Sequence, residues 1–123
     1  MSGPQKTAIV TGASQGIGAG IVKAFVEWGF NVVANSRKVT QSTEVAASNH
    51  VALVDGHIGE PATAAKIVET ALSRFKSIDV LVNNAGIFFT NPFTDYTAED
   101  FRSLVSTNVE GFLYVFGEIN RDL

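Results

Sequence analysis

Several residue types that would point to particular functions are absent or scarce in this chain. Cysteine is missing, which excludes a disulfide framework and a thiolate metal site. Lys and Arg number 9 against 12 Asp and Glu, and no cationic run is longer than Arg37-Lys38. That balance argues against nucleic acid or an anionic membrane as the main partner. The two histidines, His50 and His57, have no paired ligand at suitable spacing, so no metal is implied.

Long apolar runs are also missing. No run approaches the length of a membrane span, and the first residues have no charged-then-apolar leader. We therefore expect a soluble, cytoplasmic protein. The 123 residues, 46% hydrophobic and 17% charged, suit one globular domain with a real core.

Short apolar runs alternate with segments of helical periodicity. Strands are predicted over residues 6–12, 31–36, 50–55 and 77–84. Helices are predicted over residues 14–29, 40–48 and 61–75, and from Ala98 onward. This order predicts a parallel sheet with right-handed crossovers and helices on both faces.

The glycine-rich segment "TGASQGIG" (residues 11–18) joins the first strand to the first helix. Gly12 would allow a sharp turn, Gly16 would let a phosphate approach main-chain amides, and Gly18 would let the helix lie close to the strand. The helix N-terminus then offers unpaired donors to a diphosphate. The alternative is a glycine-rich turn without a ligand, and a turn closed against its own side chains would contradict the diphosphate hypothesis.

The end of the second strand bears on which dinucleotide would fit. An NAD site usually carries an acidic residue there, but this chain has Ser36 followed by Arg37 and Lys38. Neutral and cationic side chains suit a 2′-phosphate, which favours NADP(H) over NAD(H). Alternatively, the two cations are only solvated turn charges.

Three motifs in order, "TGASQGIG", "DVLVNNAG" and "STNVEG", give the chain its resemblance to the short-chain dehydrogenase/reductase family over about residues 6–116. The resemblance implies a Rossmann-type, doubly wound α/β sheet that ends after the fourth strand and the helix that follows it. It also implies a single NAD(P)-binding domain over residues 1–123, of which residues 117–123 do not resemble the family.

The resemblance implies two groups of cofactor contacts. Residues of the glycine turn would line the phosphates: Ser14, Gln15, Ile17 and Gly18. Residues after the fourth strand would pass the two riboses: Asn83, Ala85 and Gly86. The asparagines of "NNAG" have a second possible role, which is to tie the strand ends to Thr11.

The third strand departs from the family. Where relatives usually have an Asp that binds the adenine amine, this chain has His57, followed by Ile58, and Asp55 comes two residues earlier. His57 and Asp55 both remain candidate adenine contacts, and Ile58 takes the apolar position.

Family catalysis requires an Asn, a Ser and a Tyr-x-x-x-Lys. Only the Asn has a match, Asn108, because Tyr96 and Tyr114 are followed four residues later by acidic residues. The segment 108–116 is apolar nearly all round and would be buried in a larger body. These features suggest a truncated, frameshifted or engineered chain, or one of which further residues are missing.

Three functional hypotheses follow. The preferred one is the cofactor-binding portion of an oxidoreductase that, in complete relatives, reduces carbonyls or oxidises secondary alcohols. The second is a non-catalytic assembly module that pairs with another copy or with a missing half through its last helix and sheet edge. The third is an intact enzyme of which these 123 residues are only a part.

Overall fold

The computed structural model describes residues 5–84, 98–99 and 118. The four strands are β1 (Thr7–Thr11), β2 (Asn31–Ser36), β3 (Val51–Asp55) and β4 (Val80–Val82). The helices are α1 (Gly16–Glu27) and α2 (Pro61–Thr70), and α2 continues into a π-type turn (Ala71–Phe75). A short 3-10 turn (Val39–Gln41) follows β2.

The four strands form one parallel sheet in the order β3-β2-β1-β4. β1 pairs with β2 on one side and with β4 on the other, and β2 pairs with β3. The chain therefore winds outward from β1 to β3 and then returns to the opposite side of β1. This arrangement confirms the predicted Rossmann-type α/β fold and places a topological switch point between β1 and β4.

The two central strands, β1 and β2, are buried on both faces, which explains why they consist of nearly continuous apolar runs. Ile9 and Val33 face the α2 side, where they pack with Ile67. Their neighbours Val10 and Val32 face the α1 side. Alternate residues of each strand thus contribute to two hydrophobic layers, as the two-residue period of a strand requires.

One predicted element is wrong. Residues 40–48 do not form a helix, because the helical turn ends at Gln41 and Ser42 is already extended. Polar contacts with other segments explain the difference. The Thr40 amide donates to the Asp55 carboxylate at 2.9 Å, and the Ser42 hydroxyl donates to the Ser14 carbonyl oxygen. The Ser42 hydroxyl also accepts the Glu44 amide at 3.1 Å, and local side-chain bonds of this kind compete with helix formation.

The predicted last helix lies mostly outside the described residues. Ala98, Glu99 and Glu118 are described, and all three are helical. In the described part of the chain, no helix is long and apolar enough to cross a membrane.

Candidate functional site

The candidate site lies at the carboxyl edge of the sheet. Because all four strands run parallel, the segments that follow them emerge at this one edge. These segments are the glycine turn after β1, residues 37–38 after β2, residues 56–58 after β3, and residues 83–84 after β4. The fold thus brings together the parts of the sequence that were predicted to bind a cofactor, at the edge where open α/β sheets bind ligands.

The glycine turn has the geometry that its sequence predicts. Gly12 and Gly16 both have positive φ angles, 63° and 58°, which L-residues with side chains rarely adopt. A Cβ atom at Gly18 would lie only 2.0 Å from the Gly12 carbonyl oxygen and 2.7 Å from the Asn84 side-chain nitrogen. Helix α1 can therefore begin directly against the end of β1.

A carboxylate accepts a hydrogen bond at the N-terminus of α1. Gln15, at the N-cap position, makes no side-chain capping bond, and the first turn contains no acidic residue. Instead, the Gly16 amide donates to the Glu44 carboxylate at 3.2 Å, from 28 residues further along the chain. The Gly16 amide is therefore a donor that an anionic oxygen can reach.

A cavity of about 280 Å³ separates the glycine turn from the segment after β2. Its lining residues are Ser14, Gln15, Lys38, Gln41, Ser42, Thr43 and Glu44. Lys38 brings a cation into the lining, whereas Arg37 is exposed beside it and Ser36 is half-buried. β2 itself ends on Ser36, whereas the strand of an NAD-type site usually ends on an acidic residue.

Asp55 is held by the 3-10 turn. Its carboxylate accepts the Thr40 amide at 2.9 Å and the Thr40 hydroxyl at 2.5 Å. These two bonds lower the pKa of Asp55, with the hydroxyl bond as the larger cause. The charged carboxylate therefore has a structural partner in Thr40 and anchors the segment that borders the cavity.

The turn after β3 positions the other two adenine-side candidates. The His57 ring accepts the Gly59 amide at Nδ1, at 2.8 Å, which assigns that nitrogen as an acceptor. Ile58 is 4% exposed and belongs to the core cluster on the α2 side. Its side chain is therefore a packing residue in this structure, whatever its main chain contacts.

The residues after β4 tie two strands together, as the second interpretation of "NNAG" predicts. The Thr11 hydroxyl accepts the Asn84 amide at 3.1 Å. The Asn84 side chain donates to the Gly12 carbonyl oxygen, also at 3.1 Å. Asn83 is exposed beside this tie, with its side-chain oxygen 3.4 Å from the Thr11 hydroxyl. The tie fixes the glycine turn relative to β4.

Some predicted site residues lie outside the described residues. These are Ala85, Gly86 and Asn108. Sequence reasoning in turn missed Glu44 and Ser42, whose partners are Gly16 and Ser14. The sequence contains no signal for these contacts, because each bridges 28 residues and lies in a segment predicted to be helical.

Comparison with known proteins identifies the family to which this chain is similar. The short chain dehydrogenase family matches residues 6–123. An uncharacterized oxidoreductase of Methylorubrum extorquens is 38% identical, with 88% of this chain aligned to 46% of that protein. A 3-oxoacyl-(acyl-carrier-protein) reductase of Chlamydia pneumoniae is 33% identical, with 96% of this chain aligned to 50% of the reductase.

A solved structure gives the same result in three dimensions. The crystal structure of a 3-ketoacyl-(acyl-carrier-protein) reductase from Brucella melitensis, complexed with NADH, superimposes with a TM-score of 0.87 and 33% identity. The alignment covers 94% of this chain and 49% of that one. This chain thus spans about half the length of the relatives it matches. The strand order, the glycine turn and the match over residues 6–123 together show that the chain belongs to the short chain dehydrogenase family.

Proposed function

We propose that this chain is the nicotinamide dinucleotide-binding portion of a short-chain dehydrogenase-type oxidoreductase, and that it prefers NADP(H) to NAD(H). The observation that carries the proposal is the hydrogen bond from the Gly16 amide to a carboxylate oxygen at the start of α1. An amide at a helix N-terminus that accommodates one oxyanion is suited to a phosphate oxygen. Family membership supports a dinucleotide as the source of that phosphate.

The proposed contacts follow the carboxyl edge of the sheet. The diphosphate would lie on the glycine turn, against the residues predicted for it: Gly12, Ser14, Gln15, Gly16, Ile17 and Gly18. The exposed Arg37, with Ser36 beside it, would meet a 2′-phosphate. His57 and the main chain of Ile58 would border the adenine. Asn83, Ala85 and Gly86 would follow the riboses. Bound there, the nicotinamide would supply or accept hydride.

The whole protein's reaction is proposed at the level of its class. By the resemblance, complete enzymes reduce a carbonyl or oxidise a secondary alcohol, and Asn108 would be this chain's one contribution to their catalytic group. The 123 residues contain no Tyr-x-x-x-Lys, so cofactor binding is the activity proposed for them.

Calorimetric titration with NADPH and NADH tests this function. We expect binding of both, with NADPH the tighter ligand. Arg37→Ala should weaken NADPH binding by about ten- to a hundredfold and leave NADH binding nearly unchanged, because a charge-assisted contact to phosphate is worth about 1.5–3 kcal/mol. Arg74→Ala is the matched control. It makes the same charge change at the exposed end of the π-type turn, where Arg74 donates to the Ser48 carbonyl oxygen.

Two results would count against the proposal. A sample that is folded by circular dichroism yet binds neither nucleotide contradicts the binding function. NADH binding as tightly as NADPH, with no effect of Arg37→Ala, contradicts only the NADP(H) preference.

A further inference from the structure

The Glu44 carboxylate occupies the donor that the proposed cofactor would need. Its Oε2 accepts the Gly16 amide at 3.2 Å, at the residue where α1 begins. An N–H group has one hydrogen to donate. The Gly16 amide therefore cannot donate a full-strength hydrogen bond to Glu44 and to a phosphate oxygen at the same time. The two anions also compete for the same partial positive charge at the helix N-terminus.

The segment that carries Glu44 is attached to the glycine turn by a second contact. The Ser42 hydroxyl donates to the Ser14 carbonyl oxygen and accepts the Glu44 amide at 3.1 Å. These bonds keep Glu44 at the lining of the cavity, where its carboxylate reaches the glycine turn. They therefore raise the local concentration of the competing anion.

The contact is also weak enough to be displaced. Both Gly16 and Glu44 are exposed, so water competes with their hydrogen bond. A diphosphate carries more charge than one carboxylate and can take several amides of the first helical turn, which have no partner within the helix. Cofactor binding would then move the Glu44 side chain away and leave the fold unchanged.

We propose that Glu44 is an internal competitor for the diphosphate and thereby sets the affinity of the cofactor site. This inference rests on the proposed function. It assigns to Glu44 a weakening effect on cofactor binding, in contrast to the proposed contacts, which strengthen it. Because the competition is electrostatic, it should decrease at high salt.

The test compares NADPH affinity in the full chain and two variants at low salt. Glu44→Gln removes the charge and Glu44→Ala removes the contact, so each should tighten NADPH by about two- to fivefold. Inorganic pyrophosphate, which carries no ribose or base, should bind more tightly to both variants as well. Glu27→Gln is the matched control, because it neutralises an exposed carboxylate at the opposite end of the same helix and should leave the affinity unchanged.

Each outcome bears on a different claim. Equal or weaker NADPH binding by both Glu44 variants overturns the competitor role. Weaker binding would show instead that the carboxylate contacts the cofactor favourably. An equal gain in Glu27→Gln also overturns it, because net charge rather than position would then be the cause. If wild type and all variants are folded and none binds NADPH, the proposed function itself fails.

Discussion

At Gly18, the absence of a side chain decides how closely α1 lies against β1. The distance from an added Cβ atom to the Gly12 carbonyl oxygen, 2.0 Å, is far below van der Waals contact, and the obstacle is backbone that cannot rotate away. The place of Gly18 in the glycine turn predicts this packing role, and the structure shows the close approach. The same glycine also accommodates the Asn84 side chain that ties β4 to the turn.

Substitution at Gly18 should therefore be costly, whereas the same change two residues later should not. We expect Gly18→Ala to lower the free energy of unfolding by about 2–3 kcal/mol through overpacking. Gly20→Ala, where a Cβ meets nothing within 4 Å, should raise it by about 0.5–1 kcal/mol through helix propensity. Urea denaturation of both variants checks the pair. Equal effects at the two positions would show that helix propensity alone governs α1.

Most strands and helices were predictable because each has a residue pattern of its own in the sequence. β2 has the predicted bounds, since its apolar run is flanked by turn residues, and α2 begins at Pro61, which suits the first helical turn. The segment after β2 was not predictable. Its conformation depends on Thr40 meeting Asp55 and on Ser42 meeting Ser14, and no local pattern reports such distant partners. The Glu44 contact was missed for the same reason.

The end of the second helical segment provides a test at the scale of an element. Lys76 follows the π-type turn with φ 70°, the only positive φ at a residue other than glycine in the part of the chain that the structure describes. Lys76→Gly should raise the free energy of unfolding by about 0.5–1 kcal/mol, because glycine adopts this conformation without a Cβ clash. Thermal or urea denaturation measures the change.

Lys66→Gly is the control for that variant. It removes the same exposed side chain type from the interior of α2, where it should cost about 1 kcal/mol. Destabilisation of similar size by both variants would contradict the account of Lys76, because loss of the lysine side chain would then outweigh the backbone gain.

At the scale of the whole molecule, the parallel sheet and its switch point bring four separate segments to one edge. This arrangement is predictable from the sequence, because strand and helix patterns alternate along the chain. Which residues hold a ligand there is a finer question, because it depends on single hydrogen bonds such as that of Gly16. The ribose-side residues Ala85 and Gly86 and the catalytic candidate Asn108 lie outside the described residues, so their roles stay predictions.

The alternative of an assembly module also stays a prediction. In the described sheet, β4 is an outer strand and its three residues are half-buried, unlike the fully buried β1. This exposure is compatible with further pairing, either along the chain or with another copy.

The central claim is that main-chain amides at the start of α1 hold the diphosphate of a nicotinamide dinucleotide. Amide NMR of the ¹⁵N-labelled chain during NADPH titration tests it most directly, because it reports on Gly16 itself. The account predicts a large, saturable shift of the Gly16 resonance, with smaller changes at Lys23 in the middle of the same helix. Binding of NADPH that leaves the Gly16 resonance unmoved would contradict the claim.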